Sequence, residues 1–362
     1  MIKKLDWYIL KKFFTTFFFA IVLLTFITVV IDISEKADDF VKSGLTTGQI
    51  ITQYYFGFIP HIVSLLFPLF VFIAVIFFTS KMAGRSEIVA ILASGISFNR
   101  FLRPYWIGAI TLALMLWLSY RYVTPAANKL RTTFQAKYID NSLNNSSGNR
   151  STLYFRNDST HYGQVSYFDT LTKRGSGFVL QKIVNNELRE NMRAENLIWD
   201  TAKRKWKLEG VVTYTLDSGK QSVTQQPEKY ISLNFKPSEL KKNEYTKDIL
   251  KTPELSDLIE KETLRGAEGL NDLIVEKYHR DATPFSLLIL TWIGVSLASR
   301  KVRGGSGLHL ALGIIIAALF ILTDRFSTIF STKGSFPPLL AAWTPNIIFF
   351  IVAIYVFVRA PK

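Results

Sequence analysis

Long apolar runs separated by charged connections organise this chain. Phe13 to Ile31 is broken only by threonine, Ile50 to Thr79 holds Pro60, His61 and Pro68 but no Asp, Glu, Lys or Arg, and Tyr105 to Tyr120 is a third run. After a long polar stretch come three more: Pro284 to Ser299, Leu308 to Thr323 and Pro338 to Val358. A bilayer core of about 30 Å is crossed by about 20 apolar residues in a helix. The pattern therefore predicts six spans, three on each side of an insert. The first run exceeds the h-region of a signal peptide, and Ile31-Asp32-Ile33-Ser34 offers no small-residue cleavage site, so it is expected to stay as a helix.

Inside the insert the pattern changes to short alternating pieces. Thr152 to Phe155, Gly163 to Phe168, Gly177 to Ile183, Asn196 to Trp199, Trp206 to Leu208 and Val211 to Leu216 read as strands. Asn157-Asp158, Arg174 to Gly177 and Asp217 to Gly219 read as turns between them. Such spacing predicts an antiparallel sandwich or jelly-roll-like sheet. Thr252 to Ile259 then turns helical, with a threonine cap and Pro253 early in the helix, and Leu270 to Tyr278 continues as helix into the fourth span. The expected fold is an α-helical integral membrane protein with six transmembrane helices and an inserted all-β jelly-roll-like domain outside the membrane. Its parts would be an N-terminal membrane half at 1–122, the β domain with its helical return at 123–281, and a C-terminal membrane half at 282–362.

Charge orients these spans. Lys3, Lys4, Lys11 and Lys12, then Lys81, Arg85, Arg100 and Arg103, then Arg300, Lys301 and Arg303, and finally Arg359 and Lys362 fall on one side; Lys36, Lys42, Arg325 and Lys333 fall on the other. The positive-inside rule puts both termini in the cytoplasm and the insert outside. The overall balance, 43 Lys and Arg against 28 Asp and Glu, is thus read as membrane flanks and not as a nucleic-acid surface. With no cysteine and 4 His, the chain offers no disulfide, no thiolate catalysis and a poor set of metal ligands. Ile2, Leu5, Ile9 and Phe13 share a helical face beside Lys4 and Lys11, the mark of an amphipathic leading helix on the inner surface.

Enzyme signatures are missing from the sequence. There is no G-x-x-x-x-G-K-[ST], no G-x-S-x-G and no H-E-x-x-H, and Gly304 to Gly307 is neither preceded by a strand nor followed by lysine. Transport or scaffolding is favoured, with any ATP hydrolysis left to a partner. The loop between the second and third spans, 84–95, reads as a short helix. Ser86 suits its N-cap, Glu87 suits the positive end of the dipole, Gly95 ends it, and Ile88, Ile91 and Leu92 form one apolar patch. Two readings stand at this point: a helix that docks into a partner's groove, and an interfacial connector resting on lipid.

Several segments share a family likeness. Glu87 to Gly95 after the second span resembles the coupling helix of the lipopolysaccharide export permeases of the Lpt F/G type. Pro125-Ala-Ala-Asn128 leaving the third span, Tyr278-His-Arg280 with Pro284-Phe285 entering the fourth, Arg303 to Gly307 before the fifth and Trp343-Thr-Pro-Asn346 in the sixth are similar too. So is the order of three spans, β insert and three spans. The resemblance implies a bacterial inner-membrane permease that faces a second homologous permease, each docked on one copy of a cytoplasmic ABC ATPase dimer. It implies extraction of lipopolysaccharide from the outer leaflet through a lateral gate lined by spans 1 and 5. The lipid would pass to the β domain and then to a single-span periplasmic bridge subunit. ATP is used by the partner, and no cofactor is bound by this chain. Glu87, Ile88, Ile91, Leu92 and Gly95 would contact the ATPase.

A phosphorylated, multiply acylated lipid needs cations at the outer boundary above an apolar wall. Lys36, Lys42 and Arg325 are candidates for the phosphates, and Phe26, Val30, Phe320 and Thr323 for the acyl chains. Asp32, Glu35, Asp38 and Asp39 crowd the same loop and would repel phosphate unless paired or bridged by divalent cations. His61 is an ionisable group in an apolar span, and Asp324 and Arg325 are candidates to pair with each other. The alternatives are an ATPase-coupled permease for another envelope lipid or lipoprotein, an ion-coupled transporter, or an envelope scaffold. A reporter fused at Asn145 is expected to report the outside and one at Lys362 the cytoplasm; a cytoplasmic signal from Asn145 would invert the topology.

Overall fold

The structure, a computed structural model, describes residues 3–139, 152–169, 172–217, 220–237, 246–266, 269–300 and 306–360. It divides into two compact units. Met1–Ile139, Lys247–Thr252 and Asn271–Lys362 form one, and Asp140–Thr246 with Pro253–Leu270 form the other.

Among the described residues of the first unit, six helices are long and apolar enough to cross a membrane. They are Lys4–Lys42, Thr47–Gly84, Phe98–Ile139, Leu270–Ala298, Gly307–Thr332 and Pro338–Val358, called spans 1 to 6. Their ends depart from the hydropathy reading. Span 1 is one helix from Lys4, so Leu5, Ile9 and Phe13 do not form a separate surface helix; Ile9 and Phe13 are fully buried, and Ile2 lies outside the described residues. At its other end the helix continues through Asp32, Glu35, Asp38 and Asp39 to Lys42, where a loop was expected. Span 3 runs on to Ile139, well beyond residue 122. Hydropathy fades there, but Ala127, Asn128, Arg131, Thr132 and Phe134 are buried, so packing sustains what the apolar signal does not mark. The ring of Pro125 would strike the carbonyl of Arg121 in an unbroken helix, and a π-helical turn over Ser119–Val123 relieves it.

Lipid tails are as apolar as leucine, so helices associate in a bilayer through close packing and polar contacts. Span 2 is the centre of both. Its Phe67, Phe70, Val71, Ala74 and Val75 share a core with Phe13 and Phe17 of span 1, Phe101 and Tyr105 of span 3 and Leu287 and Val295 of span 4. Its Phe72 and Ile76 pack with Leu290 and Ile293 of span 4, Ala317 of span 5 and Phe349 of span 6. Hydroxyl contacts link Ser64 to Thr124 at 2.9 Å and Thr79 to Tyr105 at 3.0 Å, and the Asn346 amide donates to the carbonyl of Ala282 at 2.8 Å. Arg280 of span 4, 3% exposed, donates to the carbonyls of Lys247 (2.8 Å) and Leu250 (2.9 Å) and to Glu276 (3.1 Å). The Asn128 amide donates to the carbonyl of Asp248 at 3.1 Å. The short segment Lys247–Thr252 is thereby held between spans 3 and 4. Spans 1 and 5 remain the most exposed along their apolar lengths.

In the second unit the described strands are β1 Leu153–Arg156, β2 His161–Asp169, β3 Arg174–Val184, β4 Glu187–Asp200, β5 Lys205–Asp217 and β6 Lys220–Ile231. They form one antiparallel sheet in the order β1-β2-β3-β4-β5-β6. Its described strands follow a meander in which chain neighbours pair, and the helix Thr252–Arg265 follows them as the expected helical return. Trp206 to Leu208 and Val211 to Leu216 are one strand, continuous through Gly210 at φ +66°. Arg174 to Gly177 is the start of β3 and not a turn. Residues 218–219 of the expected last turn lie outside the described residues. β6 was not legible because its residues are polar on both faces and almost all exposed; its edge position also accommodates Pro227.

The sheet is curled. Beyond β6, the Asn234 side-chain amide donates to the carbonyls of Arg156 (2.8 Å) and Asn157 (3.1 Å), which brings the last strand's continuation back to β1. Phe235 packs on Phe155 at 4.7 Å and on Trp206 at 5.5 Å between ring centroids, and the Trp206 indole donates to its carbonyl at 3.0 Å. Val165, Phe168, Phe178, Leu197 and Leu208 complete this core.

Gly57 marks the closest backbone approach among the described glycines of the membrane unit. A Cβ there would lie 2.4 Å from the carbonyl oxygen of Ala127 and 2.7 Å from the nitrogen of Arg131, both backbone atoms. Gly57→Val should cost at least the roughly 1–3 kcal/mol of an overpacked site and lower the melting temperature in detergent by several degrees. Gly48→Ala, with open space around it, should leave it unchanged. Equal melting of the two variants would show that spans 2 and 3 do not pack this closely.

Candidate functional site

Between spans 2 and 3 the chain makes a short helix, Glu87–Ala93. Ser86 precedes it in the left-handed region, at φ +60°, and makes no side-chain capping hydrogen bond. The expected cap residue thus acts as the bend that turns the chain out of span 2. Gly95, at φ +85°, ends the helix, with its amide donating to the carbonyl of Leu92 at 3.0 Å. Ser97 then caps span 3, its hydroxyl accepting from the Arg100 amide at 3.3 Å.

Span 1 fixes this helix in place through charge. Lys12 Nζ donates to Glu87 Oε2 at 3.0 Å and the Tyr8 hydroxyl donates to the same oxygen at 2.9 Å. Tyr8 and Lys12 are four residues apart on one face, and the Lys12 ammonium sits 4.1 Å from the Tyr8 ring centre. A turn earlier, Asp6 accepts both guanidinium nitrogens of Arg100 at 2.6 and 2.7 Å. Asp6 is 4% exposed, and such a fork-to-carboxylate pair is the geometry in which a buried charge is best satisfied. Span 1 therefore supplies an acid to the start of span 3 and a base to the start of the short helix. Asp6 and Tyr8 were not singled out from sequence, and Lys12 and Arg100 were read only as charges that orient the spans, although a lone aspartate among Lys3, Lys4, Lys11 and Lys12 was a visible signal.

The apolar patch faces the other way from the one expected. Ile88 is 1% exposed in the core of the membrane unit, and Ile91 and Leu92 pack against that core. These residues hold the helix to its own chain, because a patch at i, i+3, i+4 next to a larger apolar core is buried by that core first. The outward surface is Val89, Ala90, Ala93, Ser94 and Gly95, all exposed and, apart from Val89, small.

The outer candidates also sort by position. Lys36 pairs with Asp32 and contacts Tyr54, while the Tyr54 and Tyr55 hydroxyls each donate to Asp32 at 3.1 Å. Asp32 is 5% exposed, so one member of the acidic group is turned inward onto the lysine. Glu35, Asp38 and Lys42 are exposed on the last turns of span 1. Arg325 is exposed within span 5 and does not pair with Asp324, which faces His279 at 3.7 Å. Phe26 and Val30 are exposed on span 1, whereas Phe320 is half-buried against Phe349 at 5.1 Å and Thr323 donates to the carbonyl of Leu319 in its own helix. His61 is half-buried in span 2. Arg303 to Gly305 of the glycine-rich loop lie outside the described residues.

Burial alone would raise the Glu87 carboxyl pKa, but the Lys12 and Tyr8 hydrogen bonds and the charge of Arg85 outweigh it and hold it below the ordinary value. A carboxyl lowered in this way stabilises the anchored helix at all pH above the ordinary carboxylate range, about 4, and releases it as pH falls through its own lower value. Glu87→Gln should therefore speed hydrogen exchange across residues 86–95 at neutral pH by roughly tenfold, the scale of one charge-assisted hydrogen bond. Glu87→Lys should do so more strongly, and Lys12→Glu added to it should restore protection. Unchanged exchange in both single variants would remove the ion pair from the anchoring of this helix.

A profile of the family described as lipopolysaccharide export system permease LptF/LptG matches residues 7–359. The chain is 21% identical over 362 residues, covering 98% of each sequence, to the lipopolysaccharide export system permease protein LptG of Escherichia coli (strain K12). The same identity and coverage hold for the protein of that name from Escherichia coli O6:H1 (strain CFT073). Six bilayer-length helices, a β unit inserted after the third and a match along nearly the whole chain agree, and the chain belongs to the LptF/LptG family of lipopolysaccharide export permeases.

Proposed function

We propose that this chain is one half of an ATP-driven exporter in the inner membrane that lifts lipopolysaccharide from the outer leaflet toward the β domain. The observation that carries the coupling part of this reading is the double charge exchange at the inner end of span 1. Glu87 holds the short helix to Lys12 and Tyr8, and Arg100 holds the base of span 3 to Asp6. A cytoplasmic ATPase pressing on Val89, Ala90 and Ala93 would move the foot of span 1 with the short helix. Farther along, span 1 exposes Phe19, Val22, Phe26 and Val30, and span 5 exposes Ile315, Leu319 and Leu322. Such apolar flanks suit a lateral gate shared with a second, homologous permease, where acyl chains lie against either span. Lys42 and Arg325, exposed, are the cations best placed for phosphates, and Lys36 becomes available only by leaving Asp32. The β domain then lies in the periplasm and both termini in the cytoplasm, as the lysine and arginine bias requires.

Native mass spectrometry of the chain purified in mild detergent from its own membranes tests the assembly. The expected particle contains a second permease-like chain, two copies of an ATPase and a bound lipopolysaccharide mass. Val89→Asp combined with Ala93→Arg should lose the ATPase while the chain still inserts. Arrival alone, or as a homodimer without ATPase, overturns the reading; so does a stoichiometric ATPase on the doubly charged variant as far as the docking face is concerned.

A further inference from the structure

At one end of the β sheet, where the β4–β5 hairpin meets segment 232–237, lies a cleft of about 300 Å³. That is the lower bound for a small-molecule site and room for one sugar-sized group. Trp206 is fully buried beneath it, and Trp199 packs on Trp206 at 5.1 Å between centroids while remaining partly exposed. Arg204, Lys205 and Lys236 line the same cleft, all three exposed.

Among the described residues these three cations have no carboxylate partner. Lys207 is paired with Glu228 at 2.6 Å and Glu209 at 3.0 Å, Arg189 with Glu187 at 2.8 Å, and the Lys203 ammonium sits 3.9 Å from the Tyr230 ring centre. Asp200, the nearest acid in sequence, turns its Oδ1 to the backbone amides of Ala202 (2.9 Å) and Lys203 (3.1 Å). Arg204 also adopts φ +52°, a conformation that favours glycine, so the hairpin tip carries an arginine where the backbone would prefer none. Three unpaired cations around an indole face make a recognition surface for a ring that carries negative oxygens. The guanidinium and ammonium groups suit phosphate, and the indole suits the C–H face of a sugar.

We infer that the cleft lined by Trp199, Arg204, Lys205 and Lys236 binds a phosphate monoester borne on a sugar ring. In the export reading, on which this rests, that group is the phosphorylated head of the transported lipid, held at the β domain by its charge while its acyl chains are handled elsewhere.

The test uses the full chain with its partners in phosphatidylglycerol-containing nanodiscs, with a photo-crosslinking residue in place of Ser232 at the cleft rim. The probes are purified lipopolysaccharide, the same lipid after enzymatic removal of its phosphates, and the nanodisc phospholipid alone. The expected adduct forms with the phosphorylated lipid and falls at least about tenfold on dephosphorylation, as it does in the triple variant Arg204→Gln, Lys205→Gln, Lys236→Gln. Lys203→Gln, outside the cleft, should leave it unchanged, and equal melting temperatures show that both variants fold. An adduct indifferent to the phosphates or to the three charges, or one formed equally with phospholipid alone, overturns the inference. The same crosslinker at Phe26 separates the two claims. Adducts at Phe26 without adducts at Ser232 sink the cleft and leave the export reading standing, whereas none at either position removes both.

Discussion

A carboxylate at the edge of an apolar bilayer must find a cation, and this requirement sets the end of the membrane unit at which spans 1 and 3 begin. Asp6 and Glu87 lie on different segments, and each is answered from the other side: Asp6 by Arg100 of span 3, and Glu87 by Lys12 of span 1. Crossing the charges in this way specifies register. A slip of span 1 by one residue would break both pairs at once and leave Asp6 buried without a partner, the costliest outcome for a charge in such a place. The position of the short helix, the start of span 3 and the inward turn of Ile88 all follow from satisfying these two acids.

The six spans were legible because hydropathy integrates over about 20 residues and tolerates error at any one of them. Helix ends and helix faces were not. Span 3 outlasts its apolar run because Arg131 and Asn128 are buried by neighbouring helices, a fact held in tertiary packing. The patch Ile88, Ile91 and Leu92 was read correctly as one face, yet periodicity alone does not say what that face meets. Lys36 illustrates the same limit. Its charge was visible, but its pairing with Asp32 depends on Tyr54 and Tyr55, about twenty residues away along the chain and adjacent in space.

The β domain shows the converse. Its core strands announced themselves by alternating Phe, Val and Leu, and Trp206, Phe168 and Phe178 are among its largest fully buried side chains. β6 gave no such signal, since an exposed edge strand has no buried face to alternate toward. The curl of the sheet is carried by two neighbouring non-strand residues, Asn234, whose amide bonds the end of β1, and Phe235, whose ring fills the space between β1 and β5. An amide and an aromatic outside regular structure thus close what strand pairing leaves open.

The chain passes back into the membrane unit at Lys247–Thr252 before it has finished building the other one. Those few residues satisfy Arg280, whose buried guanidinium depends on the carbonyls of Lys247 and Leu250. The two units are therefore separable in space but not as pieces of sequence. Cutting out 140–270 as a block would carry away the acceptors that keep a membrane helix electrically quiet. Grafting that block from a relative would succeed only if it brought a segment shaped to the same arginine. Heredity of the β domain is in this sense tied to that of span 4: the two must change together, whatever freedom the rest of the insert enjoys.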